Sequence, residues 1–363
     1  MAKKLSSDHT LFATTVALLG FGLVMVWSAS SALAQEQHGN AYHFLVKQAL
    51  WAALGLVVMV AATRLDYRRL RQPSVVYSVV AVTTALLIVV LFLRPVNETH
   101  RWLRIGALSF QPAELAKLTL VLFLAYHLER RAERINEFLT GLFPALLLLG
   151  WFAFLVYIQP DLGSAATLSL IGGVMLFLAG VRLRYFAALA LLALPLLYRA
   201  VMVAAYRRDR IEAFLNPYSD ARGSGYQIIQ SLIAVGTGGV AGTGLMEGRQ
   251  KLFYLPYPYS YFIYAVIGEE LGLIGAAAVV AAFLVLLWRG MRAAWNAPDP
   301  FGMFLASGLT LAIVIQALIN VSVVLGLLPT KGIPLPFISA GGSSLVLTLL
   351  AVGMVLSVSQ HAD

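Results

Sequence analysis

A carboxylate in a short turn is one group of this sequence that could move a proton. Asp161 lies in the turn Gln159-Pro160-Asp161-Leu162-Gly163, between two long apolar runs. A carboxylate is ionised at neutral pH and can act there as a general base. The same side chain is also a common N-cap of a following helix. The turn therefore predicts either a helix cap or a carboxylate at the mouth of a polar cavity.

A lone cation among prolines, glycines and hydroxyls could bind an anion. Lys331 lies in the stretch LLPTKGIPLPFISAGGSS, residues 327–344, whose three prolines exclude a regular helix. Ser339, Ser343 and Ser344 lie at the start of the last apolar run, where helix N–H groups and nearby hydroxyls make a ready anion site. Packing alone does not need Lys331, so the stretch indicates ligand binding.

The stretch from residue 97 to residue 117 brings charge to the start of an apolar run. It contains Arg101 and Trp102, followed by Glu114 and Lys117 inside the run. Trp102 could be an interfacial aromatic, and Glu114 and Lys117, three residues apart, could form a pair on the helix surface. Ionisable groups inside a span nevertheless line cavities more often than they face lipid. We therefore expect these side chains to face a substrate cavity.

A glycine-rich segment, residues 236–244, precedes Arg249-Gln250-Lys251. It lacks the GxxxxGK[ST] pattern of a phosphate-binding loop. Close packing of backbone, where only glycine fits, is the simpler interpretation. Gln250 and Lys251 could still face an anionic phosphate, and both alternatives remain open at this point.

Two adjacent acids, Glu269 and Glu270, lie inside a later apolar run. Neighbouring residues of a helix point about 100° apart, so the two carboxylates cannot serve one site in the same way. We expect one of them to line an internal cavity or bond a neighbouring helix, and the other to lie near the rim.

The elements that must position these groups are apolar helices. The 363 residues are 60% hydrophobic and 12% charged, whereas a soluble domain is roughly a quarter charged. A spanning helix needs about 20 apolar residues. This pattern predicts an all-α membrane protein, one polytopic domain over residues 1–363, with about ten spans. The spans are predicted near residues 11–33, 45–63, 75–94, 113–128, 140–158, 163–180, 185–205, 262–288, 301–327 and 341–358.

Charge predicts the orientation of the spans. Basic residues concentrate in alternate connections, which by the positive-inside rule are cytoplasmic together with both termini. These residues are Lys3, Lys4, Arg64, Arg68, Arg69, Arg71, Arg130, Arg131, Arg134, Arg182, Arg184, Arg289 and Arg292. The long connection 206–260 is then extracytoplasmic. The charges of this connection do not indicate its side of the membrane, because long loops are weak evidence of orientation.

Composition also excludes several classes. The chain has no cysteine, which rules out disulfides and thiolate metal sites. No cluster of His and carboxylates has the ligand spacing of a structural metal. The net charge of +9 is explained by topology, and no nucleic-acid recognition module is present. The first run, from Leu11 to about Ala32, is longer than a signal-peptide core and is followed at once by further spans.

The loops together resemble the SEDS family, named for shape, elongation, division and sporulation, over nearly the whole chain. Pro329-Thr330-Lys331-Gly332 is similar to the division member of the family more than to the elongation member. The strings that carry the resemblance, in the family's order and spacing, are RWLRIGALSFQPAELAKL, QPDLGSA, GYQIIQSLIAVGTGG, QKLFYLP, AVIGEELGLIG and LLPTKGIPLPFISAGGSS.

The resemblance implies a ten-helix glycosyltransferase of the bacterial cytoplasmic (inner) membrane. Such a protein polymerises lipid II, an undecaprenyl-pyrophosphate-linked disaccharide-pentapeptide, at the outer face, beside a class B penicillin-binding protein and other division proteins. Cations would hold the pyrophosphate, Trp102 a sugar face, and a cavity open to lipid the polyprenyl tail. No cofactor is implied with certainty. A divalent ion, Mg²⁺ or Mn²⁺, could accompany the pyrophosphate, since such ions bind through substrate phosphates.

One position departs from the family pattern. After Leu255-Pro256 the family usually has Glu, a variable residue, His, Thr, Asp and Phe, and the Asp is the residue proposed to activate the acceptor hydroxyl. Here the segment is Tyr257-Pro258-Tyr259-Ser260-Tyr261-Phe262, so Tyr261 occupies the Asp position, and Ala340 replaces a usual Tyr. A phenol with a pKa near 10 is protonated at neutral pH and is no general base.

Three hypotheses follow from this departure. In the first, the chain is an active polymerase that uses another external carboxylate, with Asp161 the leading candidate. In the second, it binds lipid II but is catalytically weak. In the third, it is a lipid-linked-sugar flippase or a division scaffold. We expect lipid II binding with slow polymerisation, and a rate that rises on Tyr261→Asp.

Overall fold

The computed structural model describes residues 7–93, 99–105 and 108–361. Lys3, Lys4 and the start of the first long loop at Asn97 lie outside the described residues. Leu103–Ile105 (β1) and Leu108–Phe110 (β2) form an antiparallel hairpin. The α-helices of the described ranges are α1 (His9–His38), α2 (His43–Arg64), α3 (Pro73–Val89), α4 (Pro112–Arg131), α5 (Phe143–Ile158), α6 (Leu162–Leu178), α7 (Leu183–Met202), α8 (Ala205–Leu215), α9 (Tyr226–Gly238), α10 (Ile263–Trp295), α11 (Pro300–Val324) and α12 (Gly342–Ser359).

Each of the ten predicted spans corresponds to one helix, α1–α7 and α10–α12. Within the described ranges, eight helices are long and apolar enough to cross a membrane by length and composition, when α3 and α5 are taken together with the adjoining helical turns 90–92 and 138–142. The exceptions are α4, which carries Glu114 and Lys117, and α6, which has 17 residues. The orientation of every later span depends on α4, and it is present as a helix of 20 residues.

Two further helices, α8 and α9, lie inside the long connection and were not predicted. With 11 and 13 residues, both are shorter than a membrane span. Hydropathy over span-length windows therefore gives no signal for them. They build a structured cap from what the sequence analysis treated as a loop.

Local chemistry explains where the spans begin. Pro73 and Pro112 occupy the first positions of α3 and α4, where the missing N–H has no intrahelical partner in any case. Asp8 caps α1, because its carboxylate accepts a hydrogen bond from the backbone N–H of Leu11 at 2.9 Å.

The connections separate into two ends of the bundle. At the basic end (residues 64–71, 129–137, 179–184 and 289–299), Asp8 pairs with Arg289 at 2.7 Å and Arg71 with Glu129 at 2.8 Å. At the loop end (residues 99–105, 108–111, 159–161, 203–262 and 325–341), the connections after α3, α5, α7 and α11 contact one another. The alternation predicted from charge is thus present in the fold.

Burial places α11 at the centre and α7 at the edge. Of the 18-residue apolar stretch of α11, 72% is buried inside the protein, whereas no residue of the corresponding stretch of α7 is buried. The main contact of α7 is with α8, which follows it in the chain. In a membrane, α7 is therefore surrounded mostly by lipid.

The glycine-rich segment packs its backbone against a break in α10. Gly272 interrupts α10 with a φ of 63° and a ψ of −162°, and a Cβ there would overlap the backbone of Gly242. The N–H of Leu273 donates to the carbonyl of Gly239 at 2.9 Å. Close backbone packing, rather than phosphate binding, therefore explains the glycines.

Candidate functional site

The loop end contains a cavity of about 400 Å³. Its walls come from the loop before β1, the turn before α6, helix α8 and the segment after α11. Apolar side chains of α6, α7 and α11, among them Leu170, Leu197 and Val323, line its membrane side. Among the residues that the structure describes, its charged lining consists of Arg101, Asp161, Arg207, Arg210 and Lys331. Four cations and one carboxylate give the cavity a positive field suited to an anionic ligand.

Asp161 both caps a helix and lines this cavity. Its Oδ1 accepts a hydrogen bond from the N–H of Ser164 at 3.1 Å, and its Oδ2 accepts one from the Ser164 hydroxyl at 2.7 Å. The two alternatives left open by the sequence are therefore both present. The cap fixes the carboxylate in one orientation at the cavity wall.

Arg101 fastens the first long loop to the turn of Asp161. Its guanidinium donates to the carbonyl oxygens of Gln159, at 3.3 Å, and of Pro160. Its Nε lies 3.9 Å from Oδ2 of Asp161. Arg101 therefore holds a positive charge beside the carboxylate and ties the first long loop to this wall of the cavity.

Lys331 is the cation of the cavity whose side chain makes no hydrogen bond or ion pair among the described residues. Its side chain lies against Gly163, and a Cβ at that position would overlap it. Burial lowers the pKa of Lys331 to about 8, while the charge of Asp161 opposes that shift and the charge of Arg101 adds to it. A desolvated ammonium of this kind binds an incoming anion strongly, because water competes for it poorly.

Tyr261 lies behind the cavity wall and does not line it. Its ring packs against Gly332, whose Cβ position would lie 3.0 Å from the ring Cζ. Asn320 holds this arrangement by donating to the carbonyls of Tyr261, at 2.9 Å, and of Ile333, at 2.7 Å. Burial raises the pKa of Tyr261 above its usual value near 10. The phenol therefore stays protonated at neutral pH, as expected from the sequence.

Arg207 and Arg210 were missed by the sequence analysis. They lie three residues apart on α8, so they share one helix face. Arg210 donates to the carbonyl of Thr330 at 3.2 Å, and the Arg207 guanidinium lies 5.0 Å from the centre of the Tyr157 ring. The signal that could have found them is the run RRDR at residues 207–210. This run lies in a long loop, whose charges do not indicate orientation, so its clustered arginines drew no interpretation.

Glu114 and Lys117 form a separate network among α4, α11 and α12. They pair at 2.8 Å, and Lys117 also donates to the side chain of Gln316. The hydroxyl of Ser344 donates to Glu114 at 3.1 Å, and Gln316 donates to the carbonyl of Pro334 at 3.0 Å. This network lines a small internal cavity that shares no lining residue with the larger one. The structure therefore does not bring Glu114, Lys117 or Ser344 beside Asp161.

Glu269 and Glu270 bind the protein's own groups. Glu270 accepts hydrogen bonds from Ser28 of α1 at 2.7 Å and from Lys251 at 2.6 Å, so it bonds a neighbouring helix as one of the alternatives predicted. Glu269 is 1% exposed and accepts from the N–H of Gln250 at 3.2 Å. The expected rim position of the second acid is wrong, because both carboxylates are needed to hold residues 246–251 against α10.

Gln250 and Lys251 consequently lie away from the cavity. The Lys251 ammonium is buried and bound to Glu270, Ser28 and the carbonyl of Met246. It is therefore not placed to bind a substrate phosphate. Gln250 follows the same loop and contributes its backbone N–H to Glu269.

The remaining predicted residues lie at the loop end but outside the cavity wall. The Ser339 hydroxyl donates to the carbonyl of Ser260 and accepts from the N–H of Leu335, each at 2.7 Å. The Ser343 hydroxyl accepts from the N–H of Gln111 at 3.3 Å. Trp102 is half-buried beside Arg101. The two serines are therefore occupied in holding loops together.

Comparisons with known proteins agree with the resemblance noted in the sequence. Residues 9–363 match the family described as cell cycle proteins, which groups FtsW, RodA and SpoVE. A protein of Geobacter sulfurreducens named probable peptidoglycan glycosyltransferase FtsW is 46% identical over 357 residues, 97% of this chain and 95% of that protein. Stage V sporulation protein E of Bacillus subtilis is 42% identical over 361 residues, 99% of each chain.

Two solved structures share the fold over nearly the full length. Rod shape determining protein RodA of Thermus thermophilus superimposes with a TM-score of 0.71 at 28% identity, covering 98% of this chain and 97% of RodA. A chain from a peptidoglycan synthase complex described as coordinating polymerization and crosslinking gives a TM-score of 0.79 at 32% identity, covering 98% of both chains. The similarity therefore includes every element that builds the cavity.

Proposed function

The chain belongs to the FtsW/RodA/SpoVE family, also called SEDS, and on that premise we propose that it polymerises lipid II in the cavity at its loop end. A relative named probable peptidoglycan glycosyltransferase FtsW is 46% identical over 97% of the chain, so the glycosyltransferase class follows from the family. The observation that carries the proposal is a cavity wall shared by Arg101, Arg207, Arg210 and Lys331 with Asp161, the one carboxylate among the described residues that line it.

The reaction needs a base for the acceptor hydroxyl and positive charge beside the pyrophosphate leaving group. An acceptor sugar hydroxyl attacks the anomeric carbon of the donor, the new C–O bond forms, and the bond from that carbon to the pyrophosphate oxygen breaks. The hydroxyl proton passes to a base, and polyprenyl pyrophosphate leaves with the electron pair. We assign the base to Asp161, because Tyr261 remains protonated and lies behind the wall at Gly332.

Side-chain cations are suited to stabilise the leaving group. Lys331, Arg207 and Arg210 line the cavity wall on which the negative charge of a pyrophosphate would be placed. Preorganised cations in a desolvated site act on charge as it develops in the transition state. The apolar side chains toward α7 suit a polyprenyl tail, because that side of the cavity adjoins lipid.

The donor set of the cavity does not suit a divalent ion. Mg²⁺ and Mn²⁺ prefer several oxygen ligands. The described residues that line the cavity offer one carboxylate, and Ser164 already donates to both of its oxygens. Among the described residues no three His, Asp or Glu side chains converge. We therefore assign charge balance at the pyrophosphate to Lys331 and the arginines.

The orientation and the partner belong to the same proposal. The basic end is assigned to the cytoplasm by the positive-inside rule, so the cavity opens outside the cytoplasmic membrane. Lys331 and relatives named FtsW support a role in division rather than elongation. The similarity to a chain of a peptidoglycan synthase complex supports a class B penicillin-binding protein as partner.

The test is polymerisation of fluorescent lipid II by the purified protein with its penicillin-binding partner. Glycan ladders on a gel are expected, together with their loss when Asp161 is replaced. A parallel assay follows transfer of labelled lipid II across sealed vesicles. Transfer without any polymer would replace the polymerase with a flippase, and binding without either activity would indicate a scaffold.

A further inference from the structure

A second large groove lies at the basic end, between α3, α4 and α5. Its volume is about 630 Å³, and its lining includes Tyr77 of α3, Arg130 and Arg131 of α4, and Trp151 of α5. Tyr77 is 55% and Trp151 41% exposed at the outer surface of the bundle. In a bilayer the groove is therefore open sideways to lipid.

The upper part of the groove carries positive charge. Arg130 and Arg131 are exposed, and neither forms an ion pair among the described residues. The neighbouring acid, Glu129, is neutralised by Arg71 at 2.8 Å. The Arg130 guanidinium stacks 4.4 Å from the centre of the Tyr126 ring, which orients it at the groove. Two arginines are thus available for an anion at the membrane surface.

The lower part of the groove is apolar. Phe123, Leu147, Leu148 and Trp151 line it, and Phe123 lies seven residues before Arg130, or roughly 10 Å deeper along the helix axis. His127 fixes the floor, because its Nε2 bonds the carbonyl of Gly141 at 2.6 Å. A charged mouth above an apolar channel matches a molecule with a phosphate at one end and hydrocarbon at the other.

We propose that this groove binds one anionic phospholipid of the adjoining leaflet. Its phosphate lies between Arg130 and Arg131, and an acyl chain lies along Phe123 and Trp151. Charge complementarity selects the lipid, since basic pockets between spans at the membrane surface attract anionic head groups. The groove is at the opposite end of the bundle from the catalytic cavity, so this site does not rest on the proposed function.

Brominated lipids test the site, because bromine quenches tryptophan fluorescence at short range. The full-length protein is placed in phosphatidylcholine nanodiscs that contain a minor fraction of brominated phosphatidylglycerol or brominated phosphatidylcholine. Quenching of Trp151 is obtained as the difference between wild type and Trp151→Phe. We expect half-maximal quenching at a mole fraction of brominated phosphatidylglycerol about thirtyfold lower than that of brominated phosphatidylcholine. This ratio is the selectivity that two arginines near a head group provide.

The double variant Arg130→Gln/Arg131→Gln is expected to lose this preference. Both side chains are exposed, so the fold is retained. The matched control is Arg182→Gln/Arg184→Gln, which removes two charges from the same end outside the groove and keeps the preference. Equal quenching by both lipids in wild type, or a preference that survives in the Arg130/Arg131 variant, would overturn the proposal.

Discussion

Asp161→Asn separates the chemistry of Asp161 from its structural role. Asparagine has nearly the same volume and is as good an N-cap as aspartate, so its side-chain oxygen still accepts from the N–H of Ser164. The lost charge lies 3.9 Å from Arg101, which keeps its hydrogen bonds to the carbonyl oxygens of Gln159 and Pro160 when that charge is removed. Unfolding should therefore change little.

The polymerisation rate should change much more. Removal of a general base lowers a rate by about 10²–10⁴, which corresponds to roughly 3–5 kcal/mol in the activation barrier. The assay is the initial rate of glycan formation from fluorescent lipid II at saturating substrate, with the temperature of unfolding measured on the same preparation. A loss in rate without a loss in stability identifies a catalytic carboxylate.

Ser164→Ala is the matched control for this experiment. It removes the hydroxyl that donates to Oδ2 at 2.7 Å but keeps the carboxylate and the backbone N–H of the cap. We expect its rate to stay within about fivefold of wild type, the effect of one ordinary hydrogen bond. A wild-type rate in Asp161→Asn would refute the assignment of the base. An equal loss in both variants would assign Asp161 to positioning alone.

Three further outcomes are expected. The sequence predicts that Tyr261→Asp raises the polymerisation rate, but residue 261 lies behind Gly332 and outside the cavity lining, so we expect this substitution to leave the rate of wild type and of Asp161→Asn unchanged. A rise in rate in either background would place position 261 in the chemistry. The pKa of Lys331 is about 8, so the ammonium loses its proton as pH rises through that value. KM for lipid II should therefore increase above pH 8 in wild type. In Lys331→Arg the cation persists, so KM should change little with pH. Lys251→Met leaves Glu270 buried and unpaired, which should lower the free energy of unfolding by about 3–5 kcal/mol; in Lys251→Met/Glu270→Gln most of that loss should be recovered in thermal unfolding.

The spans were predictable because their signals are local. Apolar length and the basic residues of alternate connections depend only on neighbours in the chain, and each predicted span is a helix. Asp161, Arg101 and Lys331 were identified by residue type and turn chemistry, and all three line one cavity. The short helix α8 was not predicted, since nothing in its composition resembles a membrane span.

One physical reason explains why several candidate site residues lie away from the cavity. Glu269, Glu270 and Lys251 look functional in sequence because charges in apolar surroundings are unfavourable unless they serve a ligand or a partner. Their partner is the protein itself, since the break at Gly272 brings the loop of Lys251 onto the two carboxylates. No local pattern distinguishes a charge paired internally from one that awaits a substrate.

Hydropathy and charge by themselves determined that this chain crosses a membrane, where its spans lie, and which connections share an end of the bundle. They could do so because the cost of exposing polar groups to hydrocarbon acts on each segment separately. The tertiary structure decided which loops meet. Arg101, Asp161, Arg210 and Lys331 come from four distant segments, and only packing of α6 and α8 against the segment after α11 places their charges around one cavity and leaves Tyr261 outside it.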